Sequence, residues 1–119
     1  MASQFKLTPT TGIVAGMTVQ FADGVWPGEI GEGLAMTDDA FDVVEPLIQH
    51  AVPGWTSMHR YGVFELTPLV RPALARIFRD KAADYLATDQ HPEANMLDEL
   101  AEWLEARESQ VRSVSVLGY

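Results

Sequence analysis

Apolar and polar positions along the chain separate an irregular first third from a helical remainder. The clearest pattern covers 67–86, where Val70, Ala73, Leu74, Ile77, Phe78 and Tyr85 share one face at the 3.6-residue period. Arg71, Arg76 and Arg79 project elsewhere on that pattern. Thr67 suits an N-cap and Pro68 the first helical position, where the missing N–H costs nothing. Pro72 then either kinks the helix or moves its start forward to about Arg71.

Two further helices follow from the same period. Thr37 to His50 opens with capping residues and early carboxylates, and Ala40, Phe41, Val44, Leu47, Ile48 and Ala51 form its apolar face. Pro46 kinks or shortens this helix, and Pro53-Gly54 ends it. The third helix runs from about Glu93 to Arg107, with Pro92 in first position or Asn95 as a cap. Met96, Leu97, Leu100, Ala101, Trp103 and Leu104 face inward.

Strand-like alternation appears at Met17–Phe21, before the turn signal Asp23-Gly24, in the extended stretch Met58–Leu66, and at Val111–Leu117. Trp26-Pro27-Gly28 and Gly31-Glu32-Gly33 read as loop. These elements predict an α+β fold, about three helices packed on a small, mostly antiparallel sheet. The 119 residues make a single domain, 1–119, with 1–12 its least ordered part.

Composition narrows the chemistry. Seventeen acidic residues against eight basic ones give a net charge of −9, which disfavours nucleic acid and anionic membranes as partners. A basic protein partner is attracted by the same charge. The absence of cysteine removes disulfides and thiolate catalysis, and fits a cytoplasmic location. No apolar window is long enough to span a membrane, and the N-terminal residues do not read as a signal peptide.

Catalytic signatures are missing. His50, His59 and His91 lack the spacing of a helical metal pair, and no nucleophile elbow, phosphate loop or dinucleotide motif occurs. The expectation is therefore no catalytic residue, no metal and no cofactor. The competing enzymatic reading uses His59, Tyr61 and Glu65 beside the Trp26 loop. A third reading is a homo-oligomeric structural subunit joined through the final strand Val111–Leu117; otherwise the chain is monomeric or dimeric.

Charge segregation is the uncommon feature. Six acids lie between Glu93 and Glu108 against one Arg107, whereas Arg71, Arg76, Arg79 and Lys81 sit on the central helix. Like charges at i, i+4 weaken a helix, so uninterrupted acids need another explanation. Either they meet the arginines of the neighbouring helix, or they meet an external basic partner.

The order Arg60-Tyr61-Gly62-Val63-Phe64-Glu65-Leu66-Thr67, Leu100-Ala101-Glu102-Trp103-Leu104 and Val114-Ser115-Val116-Leu117-Gly118-Tyr119 resembles small bacterial immunity proteins of polymorphic-toxin and interbacterial competition systems. The resemblance covers roughly the C-terminal half. It implies a cytoplasmic, non-enzymatic inhibitor that binds a cognate toxin domain and blocks its active site, and it transfers no binding residue. From the residues themselves, the expected partner-binding set is Asp38, Asp42, Glu45, Asp98, Glu102 and Glu105, with Trp26 and Trp55 as apolar anchors.

Overall fold

Five strands and three helices form in the order β1 (Thr8–Thr11), β2 (Val19–Asp23), β3 (Glu32–Met36), α1 (Asp38–Ala51), β4 (Val63–Leu66), α2 (Arg71–Ala87), α3 (His91–Ala106) and β5 (Val114–Gly118). The computed structural model describes residues 7–11, 19–24, 32–56, 62–106 and 113–118. The strands make one antiparallel sheet in the order β1-β3-β2-β5-β4, which is the predicted α+β class.

Two of these strands were not expected. β3 occupies part of the glycine-rich stretch read as loop, and the reason is steric. Gly33 pairs with Ala22 beside Phe21, and a Cβ on Gly33 would stand 2.0 Å from the Phe21 carbonyl oxygen. Glycine is required there because two backbones approach closely, not because the chain turns. β1 also escaped notice, since Thr-Pro-Thr-Thr carries no apolar alternation. Its Pro9 is tolerated because β1 is an edge strand.

Register places Val19, Phe21, Leu34, Met36, Leu66, Val114 and Val116 on one face of the sheet. They form a single core with the inward faces of the helices, through Phe41, Val44, Ile48, Leu74, Phe78, Leu97, Leu100 and Leu104. On the opposite face Gln20, Ala22, Ala35 and Ser115 are also fully buried. There the Gln20 amide donates to Thr10 Oγ1 at 2.8 Å, spanning β3 where Gly33 and Ala35 leave room above the backbone.

The capping argument holds for α1 but not for α2, where Thr67 is not the N-cap and the residue in that position, Val70, makes no side-chain cap hydrogen bond. Thr37 accepts from the Ala40 N–H at 3.2 Å, as an N-cap should. Pro46 neither shortens nor ends α1, which continues to Ala51. Pro46 and Asp42 both lie on the exposed side, so the carbonyl deprived of its donor faces water. α2 begins at Arg71, because 68–70 form a turn closed by the Val70 N–H on the Thr67 carbonyl and Pro72 occupies the first turn.

α2 and α3 form an antiparallel hairpin with the most extensive helix–helix contact in the molecule. Its connection is a Schellman motif: the Asp89 N–H bonds the Leu86 carbonyl and the Gln90 N–H bonds the Tyr85 carbonyl. Asp89 takes the left-handed position at φ 63°, a place more often filled by glycine.

The buried face of α2 is Arg71, Leu74, Ala75, Phe78 and Ala82, one step around from the predicted stripe, with Ala73 exposed. Arg71 therefore points inward, against expectation, and is only 1% exposed. Its Nη2 donates at 2.8 Å to the carbonyl of Leu104, one of the last four carbonyls of α3, which lack an intrahelical donor. The positive charge also sits at the negative end of the α3 dipole. Among the described residues no helix is long and apolar enough to cross a membrane.

Candidate protein-binding surface

The acids singled out in the sequence do not form one patch. α2 packs against both α1 and α3, and α1 and α3 make no comparable contact with each other. α1 lies toward β4, where Trp55 joins Phe41 to Phe64. α3 lies toward β3, where it faces Leu34. Asp38, Asp42 and Glu45 thus occupy one end of the helical layer, and Asp98, Glu102 and Glu105 the other.

At the α1 end the expected anchor is a core residue. Trp55 is 6% exposed, its ring lies 5.9 Å from Phe41 and 5.1 Å from Phe64, and the second contact is edge-on. The turn after α1 folds the indole back, with the Trp55 N–H on the Val52 carbonyl. A surface role for Trp55 is thereby removed. Its indole N–H donates to Glu45 Oε2 at 3.1 Å, so half-buried Glu45 satisfies a buried aromatic from within the chain. Asp38 and Asp42 are exposed.

At the α3 end the acids divide between two flanks of one helix. On the flank toward α2, Arg79 holds Glu105 through Nε and Nη2, with Nε to Oε2 at 3.1 Å, and Nη1 reaches Asp98 Oδ1 at 3.5 Å. The fork bridges two acids at i and i+7, two helical turns apart. The hydrogen bond from Arg79 holds the Glu105 carboxyl below its ordinary range, and the same bond raises Arg79 further. All three side chains remain roughly two-fifths exposed, so this triad is a solvated surface pairing. For Asp98 and Glu105, the neighbouring helix is thus the first partner.

The other flank differs. Glu99, Glu102, Trp103 and Ala106 fall at i, i+3, i+4 and i+7, and with Leu34 of β3 they line a shallow, mostly apolar groove of about 340 Å³. Leu34 is buried as its floor and Trp103 half-buried as its wall, while Glu99 and Glu102 are exposed at its rim. No ion pair from a described basic residue reaches Glu99 or Glu102, though Arg79 feels the charge of Glu102 through space. Glu99 was left out of the expected set and Trp103 was read as a core residue. The i, i+3, i+4, i+7 spacing of these four was the available signal.

The remaining candidates add little. Trp26, His59 and Tyr61 lie outside the described residues, as do residues 1–6 and 12 of the segment expected to be least ordered. Glu65 is exposed on β4 and accepts from Ser113 Oγ. His91 is exposed and contacts Asp89 at 2.8 Å, and His50 is exposed in the last turn of α1. Among the described residues no group of three or more His, Cys, Asp or Glu is placed to hold a metal ion. The homo-oligomer route through the final strand is closed. β5 lies inside the sheet with β2 on one side and β4 on the other, and Val114 to Leu117 are all buried.

Comparison with protein-family models, curated proteins and solved structures finds no match to this chain.

Proposed function

We propose that this protein acts by binding another protein, and that it is an inhibitor of the immunity type which covers a basic surface or active site on a cognate toxin domain. One observation carries the reading. On the groove flank of α3 two carboxylates border an apolar surface and no described basic residue pairs with them, whereas the acids on the other flank already hold Arg79. An acidic rim around an apolar centre is the arrangement in which charge speeds encounter and buried area supplies affinity. The net charge of −9 favours the same kind of partner.

The test begins with the gene beside this one. If it encodes a basic toxin domain, co-expression of this chain should relieve that domain's toxicity, and the purified pair should associate. Association should slow about tenfold or more between 50 mM and 500 mM salt, as steered encounters do. A neighbouring domain that remains toxic and does not bind would reject the reading. So would a partner whose association rate ignores salt.

A further inference from the structure

We infer that the groove between α3 and β3 is a seat for a single arginine side chain presented by the protein partner. The inference rests on the binding-protein reading above and deepens it. Four features of the groove select this occupant. Its floor and wall, Leu34 and Trp103, are apolar, so they suit the aliphatic stem and flat face of a guanidinium. Its rim carries Glu99 and Glu102 one turn apart, and two carboxylates there match the several N–H donors of an arginine fork. It lies over the last two turns of α3, whose C-terminal end favours a cation. Finally, the volume of about 340 Å³ has room for one long side chain and is small for a folded element.

The same helix already shows the chemistry on its other flank. Arg79 lies against Asp98 and Glu105, using the fork geometry that the groove would offer to a second guanidinium. The groove adds an indole surface and an apolar floor that the Arg79 site lacks. Arginine is favoured over lysine because a planar guanidinium stacks on an indole while donating sideways to the rim, which a compact ammonium does less well.

The test uses the full chain labelled with nitrogen-15 and two probes, N-acetyl-arginine amide and its uncharged isostere N-acetyl-citrulline amide. The arginine probe should shift the Trp103 indole N–H and the backbone signals of Glu99, Glu102 and Leu34, saturating in the millimolar range. The buried Trp55 indole should stay still. Citrulline should bind at least about fivefold more weakly, and the double variant E99Q/E102Q should weaken the arginine probe by a similar factor. Equal shifts from both probes, an E99Q/E102Q protein that binds arginine unchanged, or shifts confined to the Arg79 flank would each overturn the inference. Trp103→Phe provides a second variant, with lysine amide as the weaker competitor. The broader reading fails separately: a validated partner that binds E99Q/E102Q as tightly as the parent chain removes the groove and leaves the inhibitor standing. Probe binding without a protein partner does the reverse.

Discussion

The two flanks of α3 carry the same residue type and do different things with it. Toward α2, Asp98 and Glu105 share one arginine, and the carbonyl of Leu104, one residue before Glu105, is held by the buried Arg71. Toward β3, Glu99 and Glu102 stand over Leu34 and Trp103, and no described basic residue pairs with them. The first flank closes the helical hairpin and the second borders a groove. Charge on a helix surface therefore has no single meaning. What matters is which neighbour the flank meets.

The largest expected effect lies on the closed flank. Arg71→Ala removes a buried donor and its packed stem, and should cost about 2–4 kcal/mol in urea unfolding. Arg71→Met keeps most of the stem and should cost about 1–3 kcal/mol, the penalty of an unmet carbonyl. If both variants unfold like the parent chain, Arg71 does not tie the hairpin together.

The Arg79 triad should matter much less. A double-mutant cycle of Arg79→Met with Glu105→Gln should give a coupling of about 0.2–1 kcal/mol, shrinking in 1 M salt. A coupling that salt leaves untouched would mean the pair is less solvated than its exposure indicates.

That coupling should also fade with acid. Glu105 has a lowered folded-state pKa, so its contribution is present above the unfolded value and is lost as pH falls through the folded one. Parent and Glu105→Gln stabilities should therefore differ at pH 7 and converge as the pH falls below the ordinary carboxylate range. A constant difference across that range would assign the effect to packing.

The smallest effect belongs to the groove flank. Glu99→Gln with Glu102→Gln should leave the melting temperature unchanged or slightly raised, because like charges one turn apart repel by a few tenths of a kcal/mol. A loss above about 1 kcal/mol would show that these carboxylates support the fold, and the contrast between the flanks would disappear.

Much of this was legible beforehand. The inward faces of α1 and α3 followed from helical period, Thr37 from its capping chemistry, and the acidity of α3 from simple counting. What escaped shares one cause, dependence on residues distant in sequence. Gly33 reads as loop until Phe21 of the neighbouring strand is seen against it. Arg71 reads as surface until Leu104, thirty-three residues later, provides an acceptor inside. Trp55 reads as an exposed anchor until Phe41 and Phe64 close around it.

The sequence by itself determined three amphipathic helices, an α+β class and an excess of acid crowded on the last helix, because local spacing sets which residues share a face. The tertiary structure alone decided which acids are matched. Spacing of three, four and seven orders residues around one axis, but the neighbour each flank meets depends on how that axis is laid against α2 and the sheet.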